Sequence, residues 1–588
     1  MIDNPSHSSL SRRTVLQASG AAVVAGYLAT AAGPASAQEA PANAIATYPV
    51  PDGVAQNGSF EVHVRNGQSE WQRLGVYNTT LKQINAETGG DQRFNSSVAY
   101  FDFSGEVEVK VRYTKGAIQK ARIRPLSYDI EPVVEEDTVE FTLTEPRKIV
   151  VEVNDDLYDC LHLLAHPIEA DAPDPEDPDV IYFGPGVHTG AAVAVASGQT
   201  VYLAGGAVVK RNITFDNVEN ATLRGHGMIY GVQWGAAPVR NSKNILIDGV
   251  TIMNNPTGNA LDIGESEQVT VRNLTYFSSG KWGDGINIFC SSDVLLERLF
   301  MRSSDDCVTL YGHRNQYYGD VRNITLRDSS LWADVAHPIN IGTHGNTDDP
   351  ETIENVVFSN IDILDHREPQ LNYQGCIAIN PGDSNLVRNV RVQDVRVEDF
   401  RWGQIIHMRV AYNKSYNTSV GRGIEQVFVK NLSYDGGNAE LGLLLGYDAE
   451  HAIKDVVFQN FTVNGKLIAD NMRKPGWFKT TDMVPMHANE HVTGLRFLNA
   501  ATAPSTTAPA LLAADTLATK AGAPTVYTIS ATGFPETFAA SGLPEGLAVD
   551  TATGVVFGAP AAAGTYEATV SAANANGTAD QTVTITVQ

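Results

Sequence analysis

Cysteine is nearly absent, with four residues in 588: Cys160, Cys290, Cys307 and Cys376. They are too few and too scattered for a disulfide scaffold, and none stands in a CxxC pair suited to zinc or redox chemistry. All four are expected as buried apolar thiols. Basic residues are also scarce: 42 Lys and Arg against 67 Asp and Glu leave a net charge of −25. That imbalance excludes a general attraction to nucleic acid or to an anionic membrane. Past the N-terminal segment no apolar run is long enough to span a bilayer, and sustained helical periodicity is lacking. What remains is 43% hydrophobic and 19% charged, the composition of a folded chain. Its length suits about three domains unless a repeat extends one of them.

The N-terminus reads as an address. Ser11-Arg12-Arg13-Thr14 precedes a charge-free stretch rich in Ala and Val that ends at Ala35-Ser36-Ala37, the pattern of a twin-arginine secretory signal over residues 1–37. The expectation is a bacterial protein exported to the outside, with no membrane contact once the signal is removed. Residues 46–170 alternate apolar and polar, as in Glu106-Val107-Glu108-Val109-Lys110-Val111 and Thr138-Val139-Glu140-Phe141-Thr142-Leu143, which predicts a β-sandwich. An acidic, Pro-rich linker covers 171–180. A second linker, rich in Ala, Thr and Pro, covers 500–514, and residues 515–588 return to short strands between Gly and Pro.

Residues 181–499 carry a repeat. Segments of the form φ-x-φ-x-(Asn/Asp/Gly)-φ begin at Ile245, Val269, Val294, Ile324, Val356, Val390, Val427 and Val456, at intervals of 24, 25, 30, 32, 34, 37 and 29 residues. Such periods, with strands and no helices, predict a stacked β solenoid. A second strand series places Asn259, Asp284, Asp306, His337 and Gly375 each two residues ahead of Leu261, Ile286, Val308, Ile339 and Ile377. Stacked in register about 4.8 Å apart, these five form a ladder, with Asp305 beside Asp306.

Three carboxylates and an imidazole on one patch suit glycosidic bond cleavage. One carboxyl must be protonated to give its proton to the leaving oxygen, and another must be ionised to activate water or attack carbon. Clustered aspartates meet both needs, because like charges raise one pKa while another stays ionised. His337 can hold an aspartate in its charge state. The plainer alternative is that Asp and Asn cap solenoid turns and that Asp-Gly is turn chemistry. The constellation calls for no metal and no cofactor.

At these residues the chain resembles glycoside hydrolase family 28, the polygalacturonases. The resemblance lies in Gly283-Asp284-Gly285, Asp305-Asp306-Cys307 and Ala336-His337-Pro338-Ile339-Asn340-Ile341-Gly342, and Gly225-His226-Gly227 looks like the opening turn of such helices. It implies a right-handed parallel β-helix and inverting hydrolysis of a polysaccharide. Asp305 would be the general acid, Asp284 and Asp306 would activate water, and His337 would support them. The Arg-x-Lys pair with which that family holds an acidic sugar is replaced here by Ala378 and Asn380, so a neutral glycan is expected. An N-terminal sandwich joined to such a helix is similar to the organisation of family 49, the dextranases and isopullulanases. His407-Met408-Arg409-Val410 resembles that family's late arginine strand and makes Arg409 a candidate substrate contact. Trp282, Tyr311, Tyr317, Tyr318 and Trp332 are candidate stacking surfaces, with His344 as a hydrogen-bond donor. The C-terminal segment resembles the immunoglobulin-like modules appended to secreted bacterial proteins. A polysaccharide lyase and a non-catalytic glycan-binding helix are the competing readings.

Overall fold

The computed structural model describes residues 43–588; the signal expected over residues 1–37 lies outside them. Among the described residues the only helical segments are two short 3-10 turns, Leu126–Tyr128 and Thr480–Met483, and no helix is long and apolar enough to cross a membrane.

The N-terminal part is a sandwich of two sheets. Phe60–Arg65, Val107–Tyr113 and Thr138–Leu143 alternate buried and open residues, as the period-2 pattern predicts. Their Phe60, Val62, Val107, Val109 and Phe141 pack on Phe101, Ile149, Val151 and Leu163 of the facing sheet. That second sheet is covered on both sides. Its outer residues Tyr77, Leu81, Val98, Tyr100 and Leu164 pack against Met228, Met253, Phe277, Phe300 and Trp332 of the central domain.

The central domain is a parallel β-helix whose coils contribute strands to three faces. The first face includes Lys243–Asp248, Glu267–Arg272 and Ser292–Glu297, and the second includes Thr251–Thr257, Thr275–Lys281 and Phe300–Ser303. From Val321 these two faces fuse into long strands such as Val321–Ala333 and Thr352–His366. The third face has eleven strands, from Val193–Ala194 to Met486–Ala488. Every strand of the expected first series stacks on the next in register, from Ile245 on Val269 through Val427 on Val456. The Asn/Asp/Gly position of the repeat has a physical reason: Gly249, Asn273, Asp328, Asn360, Asp394 and Asn431 all hold left-handed φ between 52° and 84°, which those residues tolerate best. Stacked amides then bond coil to coil, as from Asn273 to Asp248 at 2.7 Å and from Asn431 to Asp394 at 2.7 Å.

The four cysteines are free; Cys160, Cys307 and Cys376 are buried, whereas Cys290 is only partly so. The C-terminal module, with sheets of four, three and two strands, lies against the first face of the helix. Val526 and Val555 pack on Leu295, and Arg327 pairs with Asp550 at 2.7 Å. Its first strand, Ala510–Leu511, falls within the stretch expected as linker.

Charges tie the sandwich to the helix. Arg124, fully buried, donates to Glu152 at 2.8 Å within its own domain and to Glu398 of the helix at 2.6 Å. His226, in the expected opening turn, pairs with Asp102 of the sandwich at 2.8 Å. Removing one member of a buried network leaves uncompensated charge. Arg124→Met should therefore lower unfolding stability by about 3–5 kcal/mol, read by calorimetry; a wild-type melting curve would contradict this account of the interface.

Candidate active site

The third face brings the expected residues together. Leu261, Ile286, Val308, Ile339 and Ile377 stack in register and point into the core. Two residues earlier, the ladder Asn259, Asp284, Asp306, His337 and Gly375 follows on successive coils. Backbone bonds run along it, from the Gly285 N–H to the Asp306 carbonyl at 2.8 Å and from the Cys307 N–H to the His337 carbonyl at 2.8 Å.

The glycines beside Asp284 are required by close approach rather than by a turn. A Cβ on Gly283 would sit 2.2 Å from Ser304 Oγ, and one on Gly285 would sit 2.3 Å from the Cys307 carbonyl. Ser278 and Ser304 fix this corner: the Ser304 N–H donates to Ser278 Oγ at 2.8 Å, and Ser278 Oγ donates to the Gly283 carbonyl at 2.7 Å.

The three aspartates differ in their partners. Asp306 Oδ1 accepts from the His337 backbone N–H at 2.9 Å and lies 2.7 Å from its Nδ1, while Oδ2 accepts from Asn340 at 2.9 Å and from the Tyr311 hydroxyl at 3.3 Å. Burial alone would raise the pKa of Asp306, but His337 and Asn340 outweigh it and hold the carboxylate below its usual range. Asp305 lacks such a donor set; its Oδ1 accepts the Asp306 N–H at 3.1 Å. Burial, then the charge of Asp306, push Asp305 up to about 7. Asp284 accepts from Asn287 at 3.0 Å and is also raised, first by burial and then by Asp305 and Asp306. One carboxylate is thus fixed as an anion, and two neighbours together retain a proton into the neutral range.

The other expected contacts divide. Trp282, two residues before Asp284, is 52% exposed and available to stack on a sugar. Tyr311 is not: its ring is buried against Phe289 and His344, and its hydroxyl serves Asp306. His344 is held neutral, burial lowering it to about 4. Tyr317 is buried on Phe289, Tyr318 is exposed, and Trp332 is fully buried beneath Arg302, which lies 3.8 Å from its ring centroid. Arg409 lies on the same face two coils beyond His337, half-buried, donating to the Asn372 carbonyl at 3.4 Å. Asn287 and Asn340 were visible in the strand pattern but read only as strand residues. Tyr373 carries no sequence signal; it comes from an irregular loop, packs edge-on against His337 with ring centroids 4.3 Å apart, and its hydroxyl meets Asn340 at 3.1 Å.

Comparison with known proteins follows this geometry. Residues 235–472 match the model of glycosyl hydrolases family 28. The resemblance read from the aspartates holds. A probable polygalacturonase of Arabidopsis thaliana is 27% identical over 160 residues, 25% of this chain and 33% of its own length. A probable endopolygalacturonase D of Emericella nidulans is 23% identical over 209 residues, 31% of this chain and 37% of its own. The chain spans about a third of the length of these curated relatives. Among solved structures, Dex49A from Penicillium minioluteum shares the fold with a TM-score of 0.55 at 14% identity, over 77% of this chain and 96% of that one, in keeping with the family 49 organisation expected. Residues 503–588 match the "Putative Ig domain" model.

A carboxyl whose folded pKa lies above its unfolded value of about 3.9 costs stability once the pH passes that value, and the full cost is reached above the folded pKa. Asp305→Asn should therefore raise the melting temperature by several degrees at pH 8.5 and by little at pH 4. Equal shifts at the two pH values would contradict the raised pKa.

Proposed function

We propose that this protein is a glycoside hydrolase that cleaves the O-glycosidic bonds of a polysaccharide with inversion. The observation that carries the reading is the unequal set of hydrogen-bond donors around three aspartates on two successive coils. Asp305 supplies the proton to the leaving oxygen. Asp284, the ionised partner in the state where Asp305 is protonated, activates water. Asp306 departs from the role the resemblance implies: four donors occupy its two oxygens, so it acts as the fixed anion that keeps the proton on its neighbours. Inversion rests on the resemblance to family 28.

The substrate we infer is a glycan whose reacting sugar is neutral. On the coil after His337 the residue paired with Asn340 is Ala378, and the next coil places His407 there. Burial, then the charge of His337, lower His407 to about 3, so it brings no cation. Arg409 is the one cation among the expected contacts, two coils beyond His337 and donating to the Asn372 carbonyl; without a closer one, an anionic sugar beside three aspartates would be repelled. Export through the twin-arginine route is part of the same proposal, resting on the Arg12-Arg13 motif.

Asp305→Asn should lower kcat/KM on the order of 10²–10⁴-fold, the range of general acid catalysis, with the fold intact. The alkaline limb of the wild-type profile should fall near pH 7, where Asp305 loses its proton. Purified protein would be assayed on dextran, pullulan and polygalacturonate by reducing ends, by ultraviolet absorbance for unsaturated products, and by proton NMR of the first anomer. Full activity of Asp305→Asn, unsaturated products, or a preference for polygalacturonate would each overturn the corresponding element.

A further inference from the structure

Three successive coils each place one residue at the corner where the second face gives way to the third: Trp234 after Met228–Tyr230, Gly258 after Thr251–Thr257, and Trp282 after Thr275–Lys281. Backbone bonds fix their alignment. The Trp234 N–H donates to the Thr257 carbonyl at 3.2 Å and the Gly258 N–H to the Lys281 carbonyl at 3.0 Å, while Gln233 pairs with Thr257 and Thr257 with Lys281. Asn212, on the coil before Trp234, holds that corner from both sides, donating to the carbonyls of Gln233 at 2.8 Å and Gly235 at 2.7 Å. Packing does not explain what these corners carry. Trp234 is 63% exposed and Trp282 52%, and both hold left-handed φ, at 53° and 58°, a conformation costly to a bulky side chain and free to glycine. Two open indoles on strained corners, in one register, point to function. Gly258 between them has φ of 84°, and a Cβ there would sit 2.7 Å from Trp234 Cα, so the intervening coil puts no side chain between the rings.

We propose that Trp234 is a second stacking platform for the glycan, gripping the part of the polymer that extends past Trp282 toward the N-terminal coils. The inference rests on the hydrolase reading, which places the reacting sugar at the aspartates. Trp282 stands two residues before Asp284 on the same coil, so a sugar on its ring adjoins the reacting one. Lys281 Nζ lies 4.8 Å from the Trp282 ring centroid, which leaves a sugar the opposite face. Trp234 stands two coil steps of about 4.8 Å further on, roughly the advance of two sugar units along an extended chain. An indole offers a flat apolar surface to the C–H face of a pyranose, and its geometry suits a neutral ring. The occupant is therefore a polysaccharide lying along the helix, with Trp234 setting how much of it is held on the N-terminal side of Asp284.

Affinity electrophoresis of the full chain in native gels containing dextran, pullulan or polygalacturonate tests the platform without requiring turnover. In the glycan that slows the wild type, Trp234→Ala should bind about 3–10-fold more weakly, the size of one aromatic stacking contact, and Trp234→Phe should recover most of the loss. On a glycan that is cleaved, the same factor should appear in KM rather than in kcat, as for binding remote from the reacting bond, and it should shrink on oligosaccharides too short to reach Trp234 from the aspartates. Trp234→Gly removes the ring and the backbone strain together and should melt no lower than the wild type. Equal retardation of wild type and Trp234→Ala in every gel, a loss independent of chain length, or a lowered melting temperature for Trp234→Gly would overturn the platform and leave the hydrolase reading standing. A wild type that is retarded but cleaves nothing would sink the hydrolase reading instead, and the Trp234→Ala gel would still decide the platform.

Discussion

In-register stacking of aliphatic residues inside the helix is the constraint on which the site depends. A strand displaced by one residue would turn its core side chains outward. Ile286, Val308 and Ile339 cannot move without leaving the core. The positions two residues ahead of them are therefore fixed relative to one another, and Asp284, Asp306 and His337 inherit that alignment from hydrophobic packing alone. Asp305 is placed in turn by the bond its Oδ1 accepts from the Asp306 N–H. The core thereby holds the backbones of three carboxyl-bearing residues side by side whatever the repulsion between them.

That repulsion is managed unequally. Asp306 receives four donors, from His337, Asn340 and Tyr311, and so becomes a stable anion. Asp284 and Asp305 receive few, so the pair retains one proton between them. Tyr373 strengthens the asymmetry by closing over His337 and bonding Asn340. The acid strength of the site is thus a property of how donors are distributed over three chemically identical side chains.

What could be read in advance follows the same division. Strand register was legible because each coil repeats the last, and apolar residues at Ile245, Val269 and Val294 declare their own alignment. The ladder of Asn259, Asp284, Asp306, His337 and Gly375 was legible because it shares that register. Contacts without a period were not. Tyr373 sits in an irregular loop, and Trp332 looked like a sugar platform although Arg302 covers it. Tyr311 was placed near the patch, but its role as a donor to Asp306 depends on a side-chain direction that strand spacing does not give.

The two flanking domains divide the faces of the helix between them. The sandwich covers the second face through Met253, Phe277 and Phe300. The C-terminal module covers the first through Leu295 and Arg327, and through Phe428, whose ring centroid lies 5.5 Å from that of Phe534. Among the described residues the third face, where the aspartates lie, shares no strand with either module. A spacer would hang free on its linker, whereas a module fixed on one face determines which side of the solenoid a polymer can approach. The sandwich adds to this by bonding Val76–Ile84 to Asn254 of a second-face strand, so that a domain whose sequence carries no sign of catalysis borders the coils that lead to Asp284.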